Sequence, residues 1–137
     1  MEAHPKLNFV VIVNPESGPG DSQFPDDNYD PEIRKLNSYL NVQTIGYVRT
    51  GYATRNISDV ISEVNTYAGW YSKSPELAMH GIFFDESPHE YVAEAVPFMQ
   101  TVNEVVKNNT AGLQGNKTVS DIDLEISALL ILGLGRP

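Results

Sequence analysis

Leu7 to Val13 is a nearly unbroken apolar run, rich in β-branched residues and closed by Asn14-Pro15, which is the pattern of a strand buried on both faces. Glu16 to Asn28 is crowded with glycine, proline and acidic residues and reads as a long surface loop. In Asp30-Pro31-Glu32 a capping residue precedes a proline suited to the first helical turn, and Ile33, Leu36 and Leu40 follow at helical spacing. Strand character returns from Val42 to Val48 and ends in the loop Arg49 to Arg55. Ser58 can cap a second helix, whose apolar stripe is Val60, Ile61, Val64, Tyr67 and Tyr71. Ser74-Pro75 breaks the chain before a third strand, Gly81 to Phe84. Ser87-Pro88-His89-Glu90 matches a capping box, and the helix it starts is interrupted or restarted at Pro97.

Strand and helix therefore alternate with nothing hairpin-like between strands, which predicts an α/β fold with a parallel sheet built from right-handed crossovers. A Rossmann-like doubly wound sheet and a TIM-type barrel both satisfy that pattern. From Asn108 the character changes to a polar, glycine-containing stretch, followed by the mainly apolar run Ile126 to Leu134. This last run reads as a strand, a short buried helix or sequence outside the fold. It is far shorter than the roughly 20 residues of a membrane-spanning helix, so no span is expected.

Composition narrows the function classes. At 137 residues and 41% hydrophobic, the chain suits one compact domain with a real core. Its formal net charge of -9 is the wrong sign for displacing counterions from a phosphate backbone, so nucleic acid is not an expected partner, while neutral or cationic ligands such as sugars are compatible. The absence of cysteine excludes disulfides and thiolate chemistry. Sequons at Asn56, Asn108 and Asn116 lean towards secretion, whereas Met1 to Lys6 carries no apolar leader region and encodes no signal peptide.

The densest chemistry lies at Gly81-Ile82-Phe83-Phe84-Asp85-Glu86, an apolar strand that stops on two carboxylates. In parallel α/β folds the C-terminal ends of strands line the ligand site, so Asp85 and Glu86 are candidate acid/base or nucleophile groups. The bland alternative is that Asp85 caps the next element and Glu86 is solvated. Successive strand residues point to opposite faces, so both acids reach one site only if the backbone bends there. Tyr47, Thr50, Tyr52 and Arg55, on a strand end and its loop, combine aromatic faces with polar donors and suit a pyranose ring, although packing explains at least one tyrosine equally well. Trp70-Tyr71 reads as core packing.

Other motifs fail their tests. Asn14-Pro15-Glu16-Ser17-Gly18-Pro19-Gly20 follows a strand but lacks the lysine of a phosphate loop, and it reads as a structural turn from which Asn14 reaches the site. His89-Glu90 lacks the second histidine of a zinc-protease helix, since Ala93 stands there, and His4 and His80 read as surface or packing residues. No metal or cofactor is expected.

Val11-Ile12-Val13-Asn14-Pro15 with Ser17-Gly18-Pro19-Gly20, then Gly46-Tyr47-Val48 with Thr50, Tyr52 and Arg55, then Trp70-Tyr71, then Gly81 to Glu86, resemble in order and spacing the spherulation-specific family 4 (spherulin-4-like) proteins. That resemblance implies a (β/α)8 barrel related to glycoside hydrolase family 135, mostly secreted and fungal, acting as an endo-α-1,4-N-acetylgalactosaminidase on galactosaminoglycan. It implies that Asp85 and Glu86 are the acidic catalytic motif, that Asn14, Tyr47, Thr50, Tyr52 and Arg55 bind substrate, and that the protein is extracellular or in the cell wall. It covers residues 5–118 and leaves 119–137 as a divergent tail. Eight strands with their helices take about 250 residues, so the expectation is a partial barrel with about half its strands, a truncated member of the family. Two uses follow for it: a hydrolase, or a non-catalytic glycan-binding or structural protein of wall or spore. Open barrel edges would also promote marginal stability and self-association.

Overall fold

The computed structural model describes residues 9–86, 93, 95–108, 112–120 and 128–132, with the stretches after Leu113 described as backbone. Strands β1 (Phe9–Val13), β2 (Val42–Arg49), β3 (Met79–Asp85), β4 (Leu113–Ser120) and β5 (Ala128–Leu132) form a sheet in the order β4-β3-β2-β1-β5. Every pairing is parallel. Helices α1 (Asp30–Asn37), α2 (Ile57–Gly69) and α3 (Ala95–Asn108) fill the crossovers, with 3-10 turns at Trp70–Ser72 and Pro75–Leu77. The capping box expected at Ser87 to Glu90 lies outside the described residues, as do His4 and His89.

The helix boundaries show which local signals held. Asn56, not Ser58, caps α2: its Oδ1 accepts from the Ser58 N–H at 2.9 Å. Tyr29 is the N-cap of α1, which frees Asp30 inside the first turn to pair with Arg34 at 2.7 Å and Lys73 at 3.3 Å. Together these cations hold the Asp30 carboxyl below the ordinary carboxylate range, the Arg34 hydrogen bond contributing most. Leu40, expected on the apolar stripe of α1, is instead wholly exposed, because the helix stops at Asn37. The Asn37 amide donates to the carbonyls of Glu76 and Ala78 and accepts from the Thr44 hydroxyl, bonds that anchor the helix end against the start of β3. Pro97 is the third residue of α3, inside its first turn, where the missing N–H costs nothing.

The two faces of the sheet differ. Val13, Val48, Ile82 and Phe84 pack with Ile33 of α1, Val60, Val64 and Tyr67 of α2, and Val102 and Val106 of α3 in one cluster. The opposite face carries Val10, Ile12, Ile45 and Phe83 with Tyr47, and no helix residue belongs to that cluster. A doubly wound sheet has helices on both faces. Among the described residues the cover is one-sided and β1 to β4 keep sequence order across the sheet, while β5 lies beyond β1, at the opposite edge from β4. The apolar segment near the C-terminus resolves as a strand over Ala128–Leu132, placed beside β1 in register Val13↔Leu132. The polar stretch after Asn108 contains β4, which its composition concealed.

Register carries the site. Val13 lies level with Gly46 and Gly46 with Ile82, while Arg49 is paired with Asp85. Asn14, Tyr47 and Asp85 consequently emerge at one rim, at the C-terminal ends of the strands.

Candidate active site

Alternation along β3 puts Asp85 on the same face as Phe83, and the register puts Tyr47 beside both. The rings of Tyr47 and Phe83 lie 6.0 Å apart, and the Tyr47 hydroxyl donates to Asp85 Oδ2 at 2.5 Å. The other carboxylate oxygen, Oδ1, accepts from the Glu86 N–H at 2.8 Å. Burial, and then the hydrogen bond to Asp85, raise the Tyr47 phenol far above its ordinary value, so it remains a proton-bearing donor throughout the physiological range.

Glu86 supplies the bend that two adjacent acids require. Its φ is 56°, in the left-handed region that non-glycine residues rarely occupy, so the strand alternation ends at that residue. Its carboxylate then lies 4.0 Å from Nη1 of Arg49, the register partner of Asp85. Both acids are half-buried at this rim.

The loop after β2 is occupied with structure. Thr50 is fully buried, and its hydroxyl donates to the carbonyls of Asp85 at 3.2 Å and Glu86 at 2.8 Å. Tyr52 is more than half exposed and donates its backbone N–H to the Glu86 carbonyl. Arg55 makes a two-bond pair with Glu63 of α2, at 2.9 and 2.6 Å, and a further bond to the Arg49 carbonyl at 3.0 Å. Asn14 uses its Oδ1 on the Gly18 N–H at 3.0 Å, closing the turn after β1. Tyr47 is thus in direct contact with Asp85, Thr50 and Tyr52 hold the backbone of the acid pair, and Arg55 and Asn14 brace neighbouring loops.

Tyr67 escaped the sequence reading as a site residue, having been assigned only to the helix stripe. It is fully buried, and its hydroxyl donates to the carbonyls of Val13 and Tyr47 at 3.2 and 2.8 Å, tying together the ends of β1 and β2. Its available signal was Gly46: a Cβ there would meet the Tyr67 ring at 2.5 Å, so glycine makes room for the aromatic ring to cross the strand. Trp70 packs edge-on against Tyr67 at 4.9 Å and is core, as expected, whereas Tyr71, expected beside it in the core and on the α2 stripe, is exposed because α2 ends at Gly69.

Two open grooves, of about 580 and 480 Å³, run between the loop after β1 and the outer face of α2, and neither includes Asp85 or Glu86. Among the described residues no three His, Cys, Asp or Glu side chains cluster as metal ligands. No described helix is long and apolar enough to cross a membrane. His80 lies towards the start of β3, away from the acids; its Nδ1 accepts from the Thr44 N–H at 3.2 Å, and burial lowers its pKa.

A family model, Spherulation-specific family 4, matches residues 1–121. Spherulin-4 of Physarum polycephalum is 41% identical over 81 residues, which are 59% of this chain and 22% of that protein. The crystal structure of Aspergillus clavatus Sph3 in complex with GalNAc matches with a TM-score of 0.82 and 45% identity, over 87% of this chain and 48% of that one. The chain spans less than half the length of either relative.

Proposed function

This chain belongs to spherulation-specific family 4, related to glycoside hydrolase family 135, and from that premise we propose that the rim bearing Asp85 and Glu86 is the hydrolytic site for an amino-sugar polysaccharide. The carrying observation is the acid pair itself: one carboxylate oriented through both oxygens, its neighbour turned onto the same rim by a left-handed residue. Support for the sugar comes from Sph3, a relative at 45% identity solved with GalNAc. Glycosidic cleavage needs one carboxylate facing the anomeric carbon and one acid facing the leaving oxygen. Asp85, oriented by Tyr47 and the Glu86 N–H, stabilises the positive charge that develops at C1. Glu86, beyond the end of the strand, passes a proton to the departing glycosidic oxygen as the C1–O bond breaks; water then bonds to C1 and its released proton returns to Glu86. Asn14 and Tyr52 are on the side from which a sugar chain approaches.

The same reading makes the sheet part of a (β/α)8 barrel wall, with its helices outside and the face of Val10, Ile12, Ile45 and Phe83 turned inward. It also carries the extracellular or wall location, and self-association through the β4 and β5 edges.

The test is release of reducing ends from acetylated and deacetylated α-1,4-galactosaminoglycan by the chain and by Asp85→Asn and Glu86→Gln. Each substitution is expected to lower kcat by about 100-fold or more, with glycan binding retained. Undiminished hydrolysis in both variants would sink the assignment. Binding without cleavage in the unsubstituted chain would favour the non-catalytic glycan-binding reading.

A further inference from the structure

Glu86 is held in a conformation its own chemistry disfavours. A glutamate at φ 56° carries a Cβ penalty that glycine lacks, and such residues persist only where their surroundings impose them. Here the imposing groups come from the loop after β2. The Thr50 N–H donates to the Asp85 carbonyl at 2.9 Å, the Thr50 hydroxyl to the Glu86 carbonyl at 2.8 Å, and the Tyr52 N–H to that same carbonyl at 2.6 Å. Gly51, Tyr52 and Ala53 are themselves all left-handed, with φ of 59°, 56° and 65°, which turns the loop back over the end of β3. The loop is braced in turn: Arg55 donates to the Arg49 carbonyl and is clamped by Glu63 on α2.

We infer that Thr50 is a positioning residue that fixes the direction of the Glu86 carboxylate through the Glu86 backbone, without touching substrate. This deepens the hydrolase reading and rests on it for the catalytic consequence, but the conformational claim stands by itself. Thr50 is wholly enclosed, which removes it from contact with a polysaccharide, and its hydroxyl is committed to main-chain carbonyls. A buried polar group with this bonding controls local geometry rather than recognition.

The test compares Thr50→Val, which keeps the shape and deletes the donor, with Thr50→Ser, which keeps the donor. NMR of the full chain reads two reporters: the strong intraresidue HN–Hα cross-peak that marks a positive φ at Glu86, and hydrogen exchange at the Tyr52 amide. Thr50→Val is expected to abolish the first and speed the second at least tenfold, while Thr50→Ser preserves both. Retention of both reporters in Thr50→Val, or their loss in Thr50→Ser, overturns the inference. If Thr50→Val does not fold, Glu86→Gly decides. Release of an imposed left-handed strain raises its Tm by a few degrees, and an unchanged or lower Tm contradicts the strain. On galactosaminoglycan, Thr50→Val is expected to lose more than tenfold in kcat at constant KM, with Thr50→Ser restoring the rate. A chain that hydrolyses nothing refutes the functional reading while the NMR comparison still decides the role of Thr50.

Discussion

Gly46→Ala is expected to be severely destabilising, at a position where the same change would ordinarily help. Glycine within a strand is disfavoured relative to alanine by roughly 0.5–1 kcal/mol, so an unobstructed strand would gain from the methyl. At Gly46 the added Cβ falls 2.5–2.6 Å from three atoms of the Tyr67 ring. Reaching the ordinary carbon separation of 3.5–4.0 Å requires the ring to retreat by about 1 Å. Tyr67 is fully enclosed, edge-packed on Trp70, and bonded through its hydroxyl to the Tyr47 and Val13 carbonyls, so that movement strains the packing and stretches both bonds. Overpacking costs about 1–3 kcal/mol and each compromised bond about 1 kcal/mol, giving a net loss of about 2–4 kcal/mol after the strand gain. Such a loss is a large share of the roughly 5–15 kcal/mol that stabilises a typical domain. Urea unfolding followed by the fluorescence of the single tryptophan, Trp70, measures it directly. Gly69→Ala is the matched control: its φ is -70°, nothing lies within 4 Å of the new Cβ, and it should hold or gain stability. A Gly46→Ala protein as stable as the parent would refute the placement of Tyr67 across that strand, and with it the bracing of the β1 and β2 ends beneath the site.

Arg55→Lys should lose about 1–2 kcal/mol in the same assay, because an ammonium cannot keep both the two-bond contact with Glu63 and the bond to the Arg49 carbonyl; an unchanged midpoint would show that this clamp contributes nothing. His80 has a pKa lowered by burial, so the unfolded chain binds its proton more readily; its contribution to stability is complete above the unfolded value near 6.5 and is lost as pH falls below it towards the folded value. Unfolding at pH 7.5 and 5.5 should show that loss, and His80→Gln should reduce the difference between the two; an identical pH response in both proteins would contradict it.

The elements that local physics controls were legible from the residues alone. An unbroken β-branched run such as Phe9–Val13 has few alternatives to a strand buried on both faces, and the periodic apolar stripes announced α1 and α2, although their N-caps are Tyr29 and Asn56 rather than Asp30 and Ser58. The acid pair at the end of β3 was equally visible, because an apolar strand that stops on charge announces its own end. What the linear order could not decide was everything set by bonds between distant residues. The left-handed turn at Glu86 depends on Thr50, 36 positions away, and the capture of Arg55 depends on Glu63 facing it from α2. The polar composition of β4 gave no strand signal, since pairing with β3 rather than propensity makes it one, and the seat of β5 beside β1 is a choice of register partner. Periodicity is a property of neighbours along the chain. The direction of a carboxylate is a property of neighbours in space, and only the folded sheet brings those together.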